Sequence, residues 1–158
     1  IKDTQENIKW LLDQNNIQYP ISNIPKNIFV SPVENISEHL KTSTIDKIVT
    51  EPYLGKPLKG NEKYETLIHQ ASDLKNLYLQ AFAEFKKVLK PDGAVIFIIP
   101  CFKYGNDWIK IDLAKELTKL GFTSESLLRF GEKEYSYLLY ARPDQKVGRE
   151  IWKFRLEK

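Results

Sequence analysis

Apolar residues recur every three or four positions in three stretches of the chain and cluster in short runs elsewhere. The clearest stripe is Leu74, Leu77, Tyr78, Ala81, Phe82, Phe85, Val88 and Leu89, which predicts a helix capped by Ser72 and ended by Pro91 and Gly93. Over 2–14, Ile8, Leu11 and Leu12 share one helical face, with Asp3 or Thr4 near its start. A third helix carries Ile109, Leu113, Leu117 and Leu120, begins at Asn106 or Asp107 and closes at Gly121. Between the helices, 27–30 (NIFV) reads as a short strand ended by Pro32, and 45–51 (IDKIVTE) as a strand with a buried centre. Residues 94–100 (AVIFIIP) are apolar on both faces, as in a central strand covered on both sides. Residues 124–130 and 134–142, separated by Gly131-Glu132-Lys133, predict a closing antiparallel hairpin. Residues 35–42 suggest a short helix, 15–26 read as a loop, and 56–71 as a long loop or a loop with a helical turn.

Helices alternating with strands in this order predict an α/β open sheet with helices on both faces, as a single domain over 1–158. The 158 residues are enough to bury a sizeable core. One cysteine and two histidines offer neither a disulfide framework nor a zinc site, so no metal is expected. No apolar run reaches the roughly 18 residues of a membrane span, and no leader pattern opens the chain. These features lead to the expectation of a soluble, intracellular, cytoplasmic protein. The sequence contains no methionine and opens within a helical pattern, so a piece of a longer protein is expected. The net charge of +3 permits a nucleic-acid partner without demanding one. Basic residues gather at Lys56, Lys59 and Lys63, and again at Lys146, Arg149, Lys153, Arg155 and Lys158. Solvated lysines of any small domain explain these equally well. Arg142 and Arg149 suit either phosphate contacts or salt bridges.

The stretch 47–64, KIVTEPYLGKPLKGNEKY, is the chemically distinctive one. A strand stops on a carboxylate, a proline and an aromatic, and a loop with two glycines and several lysines follows. It is either an ordinary strand exit or one wall of a pocket for a flat nitrogenous ring.

Three stretches resemble the class I S-adenosylmethionine-dependent methyltransferases. IVTEPYLG resembles the fourth-strand motif of the amino-methyltransferases, usually Asp/Asn-Pro-Pro-Tyr/Phe. FKKVLKPDG running into AVIFIIP resembles the fourth helix and fifth strand of that fold. YSYLLYARPDQKVGREIWKF resembles the end of the tRNA guanosine-N2 methyltransferase group and of relatives designated presumptive DNA methylases. The glycine-rich cofactor turn and the acidic ribose-binding residue of the family have no counterpart in the chain. The resemblance therefore implies the C-terminal portion of a Rossmann-like methyltransferase sheet, lacking the first two strands and ending in an antiparallel hairpin. The motif also departs from the family pattern: the acid is one methylene longer, and the aromatic comes one position early.

The resemblance implies S-adenosylmethionine as cofactor and methyl transfer to an exocyclic amine of a nucleic-acid base, with guanosine N2 in tRNA favoured over DNA. DNA adenine-N6 or cytosine-N4 methylation is one alternative, and a non-catalytic fragment is another. The lone pair of such an amine is conjugated into its ring. A carboxylate and a backbone carbonyl accepting its N–H groups free that pair as the methyl arrives, and positioning does much of the rest. Glu51 takes the acceptor role, Pro52 shapes the turn and Tyr53 stacks on the base. Ser31, Pro32 and Glu34 follow the predicted third strand and are implied near the cofactor. Gly55, Lys56 and Lys59, with Lys103, Tyr104 and Asn106 at the end of another strand, are implied around the substrate. An open edge at strand 45–51 leads to the expectation of a homodimer, a domain swap or a displaced 27–30 strand.

Overall fold

A computed structural model describes residues 2–16 and 28–157. The chain divides into two compact units, Ile1–Pro32 and Val33–Lys158. In the first unit, α1 (Lys2–Gln14) buries none of its side chains. The predicted strand 27–30 does not form over residues 28–30, and Asn27 lies outside the described residues. Val30 is 78% exposed, and these residues join no sheet ladder.

In the second unit a 3-10 turn (Val33–Glu38) replaces the short helix expected over 35–42. Next come β1 (Ile45–Thr50), α2 (Tyr64–Val88), β2 (Leu89–Tyr104), β3 (Asp107–Ile109), α3 (Ala114–Leu120), β4 (Phe122–Glu125), β5 (Leu128–Phe130), β6 (Lys133–Tyr135), β7 (Tyr137–Tyr140) and β8 (Val147–Leu156). The main sheet runs β1-β2-β8-β4, with β3 folded back on β2 and β7 paired to β8. β1 and β2 are parallel, and β8 is antiparallel to β2. The registers show that β4 and β7 are two halves of one edge strand. Glu125 faces Lys153 and Tyr137 faces Trp152, the next residue along β8. The residues between Glu125 and Tyr137 leave the sheet and include a small separate hairpin, β5–β6. The expected closing hairpin is thus only partly the observed one. The strand that joins this edge to β2, β8, comes later in the chain.

α2 begins at Tyr64 and not at Ser72, because the stripe continues backward through the buried Leu67 and Ala71. The segment 56–71 is therefore only half loop. Pro91 and Gly93 do not separate helix from strand as a simple stop. α2 ends at Val88, and residues 90–93 bulge out between the Ile45–Leu89 and Lys47–Ala94 pairs. Asp92 takes the left-handed conformation there, at φ 64°. The third helix starts later than expected. Gly105, at φ 59°, turns the chain so that Asp107 and Trp108 pair with Tyr104 and Lys103 in a hairpin. The first turn of α3 is held instead by Asp112, whose carboxylate accepts the Ala114 amide at 3.0 Å. Gly121 closes α3 at φ 90°, in the αL conformation the sequence predicts.

The core lies between α2, α3 and one face of the sheet. Phe82 makes ring contacts with Phe85, Phe97, Phe122 and Phe154 at centroid distances of 5.1–5.5 Å. The predicted cover on both faces is not met within this unit. The opposite face carries Lys47 and Val49 of β1, Ile96 and Ile98 of β2, and Ile151 and Lys153 of β8, and Val49 is 75% exposed. α2 and α3 share one face because the stripe of each holds the same cluster, Leu74–Phe85 from α2 and Leu117 from α3. Among the described residues no helix is long and apolar enough to cross a membrane.

Candidate active site

Glu51, Pro52 and Tyr53 leave the C-terminal end of β1, the edge where open α/β sheets place their ligands. The alternation of the strand separates them. Thr50 faces the helices beside Phe97, so the next residue, Glu51, turns to the uncovered face. There its Oε1 accepts a hydrogen bond from Arg149 Nε at 2.7 Å. The pair is open to water, with Glu51 47% and Arg149 32% exposed. Of the two functions open to Arg149, the salt bridge is the observed one.

Pro52 and Tyr53 line a largely apolar cleft of about 280 Å³ with Val33, Leu77 and Phe97. The Tyr53 backbone is pinned from below. Its carbonyl accepts the Tyr78 hydroxyl at 2.7 Å, and Tyr78 is wholly buried with its ring edge-on to Phe97. Burial drives the Tyr78 phenol well above its usual range, so it remains a donor. Sequence reasoning counted Tyr78 only as part of the apolar stripe. Its hydroxyl was the available signal, since a buried tyrosine oxygen needs a partner. Tyr53 is 58% exposed.

Gly55 adopts φ 97°, and a side chain there would meet Gln70 Nε2 at 2.7 Å. Gln70 holds the loop by accepting the Lys56 amide at 3.1 Å. Tyr53, Gly55, Lys56 and Gln70 border a second, wider cleft of about 440 Å³. Further on, the Lys59 and Gly60 amides both donate to Glu62, at 2.5 and 2.9 Å. Those bonds, the Lys59 amide first, hold the Glu62 carboxyl below its ordinary range.

The predicted substrate residues fall into two neighbouring places. Gly60, beside Lys59, abuts the Lys146 side chain, whose Cε would lie 2.9 Å from an added Cβ. The Lys103 amide donates to the Lys146 carbonyl at 2.9 Å. Tyr104 meets Tyr64 edge-on at 5.2 Å. The backbone at Lys103 thus lies beside Lys146, which also abuts Gly60, while Tyr104, the next residue of β2, turns to the other face and meets Tyr64. Asn106 lies in the β2–β3 turn and is exposed. Of the residues expected near a cofactor, Glu34 lies on the 3-10 turn, whose Ser37 amide reaches Glu84 of α2 at 3.2 Å. Ser31 and Pro32 belong to the first unit, where the Ser31 hydroxyl donates to the Pro32 carbonyl at 2.9 Å. The C-terminal basic cluster is largely paired. Lys153 and Arg155 both engage Glu125, pulling its carboxyl down to about 2, with Arg155 the stronger cause.

No protein-family model matches the chain, and no curated protein matches it either. Solved structures do. The chain is similar to a presumptive DNA modification methylase from Thermus thermophilus, with TM-score 0.52 and 13% identity over 82% of this chain and 53% of that one. The same protein complexed with S-adenosyl-L-methionine gives TM-score 0.52 and 12% identity, over 82% and 52%. A methyltransferase from Burkholderia thailandensis, crystallised with 1,6-didemethyltoxoflavin and S-adenosylhomocysteine, is too distant to support an argument, at TM-score 0.43 and 14% identity. The chain spans about half the length of these structures. What the Thermus thermophilus protein shares with it at such identity is the fold: a mixed α/β domain built on a sheet.

Proposed function

We propose that this chain is the C-terminal portion of a Rossmann-like methyltransferase domain that transfers a methyl group from S-adenosylmethionine to an exocyclic amine of a nucleic-acid base, guanosine N2 of tRNA first. The observation that carries this is the position of Glu51-Pro52-Tyr53 at the C-terminal end of a parallel strand, in a fold shared with a structure that binds S-adenosyl-L-methionine. Glu51 is the acceptor for the amine. Its present partner costs little to exchange, because an exposed ion pair contributes only about 0–1 kcal/mol. Tyr53 stacks on the flipped base, a contact worth about 1–3 kcal/mol. Lys59, Lys103 and Lys146 are assigned to the phosphate backbone, and the exposed Tyr64–Tyr104 pair to an unstacked base. Ser31, Pro32 and Glu34 remain the residues proposed for the cofactor. Among the described residues β1 pairs only with β2, so its other edge is proposed to meet a second copy, which light scattering tests.

Radiolabelled S-adenosylmethionine offered with unmodified tRNA and with duplex DNA is the test, using the longest natural form of the chain. Label in tRNA at guanosine N2 supports the proposal, label only in DNA transfers it to the DNA alternative, and label in neither with no cofactor binding by calorimetry overturns it. Glu51→Gln is expected to cut turnover at least a hundredfold while cofactor affinity stays unchanged, the range assigned to a positioned acid–base group. Equal loss of both would give Glu51 a structural role.

A further inference from the structure

On the helix-covered face of the sheet, opposite Glu51, lies a cavity of about 340 Å³. That volume is at the lower end of small-molecule sites, roughly 300–1,000 Å³. Its floor is apolar, with Ile99, Leu117, Phe122 and Phe154. One wall is a row of stacked rings, Tyr137 on Trp152 at 4.7 Å and Trp152 on Phe154 at 5.9 Å. An apolar guest leaving water for these surfaces gains both burial and dispersion contacts.

Three of the lining residues are charged, and two of them neutralise each other. Glu150 is 2% exposed and closed to a guest. The Lys110 ammonium lies 2.9 Å from its Oε1, and the Trp152 indole N–H donates to its Oε2 at 3.1 Å. Lys110 also donates to the Tyr137 hydroxyl at 2.5 Å and lies over that ring, 4.7 Å from its centre. Tyr137 and then Glu150 raise the Lys110 pKa, so the ammonium stays charged. This pair is part of the wall.

Asp112 is the third. Ile111 and Leu113 on either side of it are buried, while Asp112 is exposed and lines the cavity at its mouth. Its Oδ1 accepts the Ala114 amide at 3.0 Å, and its Oδ2 has no partner among the described residues. With Lys110 matched by Glu150, the cavity keeps one uncompensated negative charge above an apolar floor. An anion is repelled there, and a neutral guest leaves the carboxylate unmatched. A cation on an apolar body complements both. The rim is also where the edge strand is interrupted. Ser124 of β4 and Tyr137 of β7 line the cavity, and the inserted β5–β6 hairpin leaves the sheet between them. Segments added to a rigid scaffold at the edge of a cleft commonly serve binding.

We propose that this cavity binds a primary amine carried on an aromatic ring, with the ring over the apolar floor and the ammonium at Asp112. The site is independent of the methyl-transfer proposal.

The test is titration of the 15N-labelled full chain with tryptamine, followed at the Trp152 indole N–H, which is assigned through Trp152→Phe. Tryptophol, the neutral alcohol, and indole-3-propionate, an anion, serve as comparisons. Saturable movement of the Trp152 signal is expected. Tryptamine should bind about fivefold or more tightly than tryptophol, with indole-3-propionate weakest. Asparagine caps a helix about as well as aspartate, so Asp112→Asn should keep α3 in place. It is expected to bring tryptamine down to the affinity of tryptophol and to leave tryptophol unchanged. Equal affinity for the three compounds, or a preference for tryptamine that survives Asp112→Asn, would overturn the proposal. So would binding that moves resonances near Glu51 and leaves Trp152 unaffected, without touching the methyl-transfer reading. Should Asp112→Asn fail to fold, the tryptamine-to-tryptophol ratio on the unmodified chain, expected to fall as salt rises, still decides.

Discussion

Tyr78→Phe removes a single oxygen from the chain, and its consequences can be worked through from the contacts around it. The ring keeps its burial and its edge-on contact with Phe97 at 5.0 Å. What disappears is the 2.7 Å bond to the Tyr53 carbonyl, the only link the hydroxyl makes between α2 and the loop after β1. A net hydrogen bond of this kind contributes about 0.5–1.5 kcal/mol, rising to about 1–3 where the abandoned carbonyl stays dry. Tyr53 is 58% exposed, so water can reach the segment and the lower figure applies, about 1 kcal/mol. Urea denaturation is expected to show that loss as a lower midpoint with an unchanged slope. The local effect is the sharper one. The Lys56 amide is held by Gln70 at 3.1 Å, and loosening the loop by about 1 kcal/mol raises its hydrogen exchange about fivefold. A global loss above about 3 kcal/mol would mean the ring itself had repacked. Lost stability with unchanged Lys56 exchange would show that Tyr78 does not hold the loop.

Phe82→Ala is expected to cost near the top of the roughly 3–5 kcal/mol seen for buried aromatics, because the ring is wholly buried among four others. Chemical denaturation measures it, and a loss under about 2 kcal/mol would deny Phe82 its central place. Gly148→Ala puts a methyl 2.7 Å from Cys101 Sγ and 3.1 Å from the Trp108 ring, a crowding expected to cost about 1–3 kcal/mol. Adding Cys101→Ala should return part of that loss in a double-mutant thermal melt. Glu125 is held at about 2 by Arg155 and Lys153, against 4.5 in the unfolded chain. Its contribution is present above pH 4.5 and fades as pH falls from there toward 2. The melting temperature of Glu125→Gln should therefore converge on that of the parent chain as the solution is acidified, and a constant gap would refute the pairing.

The long stripe of α2, the closure of α3 at Gly121, the strand running up to Glu51 and the α/β class were legible in the residues themselves. They rest on local periodicity and on glycine stereochemistry, which act within a few positions. Even the missed β8 left a trace, since Trp152-Lys153-Phe154-Arg155-Leu156 alternates at the strand period. Its charged residues hid it, because their partners, Glu125 and Glu51, stand far away in sequence. Other features had no local sign at all. Residues 107–109 carry the spacing of a helix and become a strand only because β2 runs on and offers them a ladder. The role of Tyr78 depends on which carbonyl lies above it, and the surroundings of Glu150 on an ammonium, Lys110 of the segment before α3, brought up to a carboxylate and an indole two residues apart on β8. Periodicity specifies which side of an element is apolar. Which polar atoms then meet across the packed layers is decided by the tertiary register, so the Glu51–Arg149 pair belongs to the fold and not to any stretch of sequence.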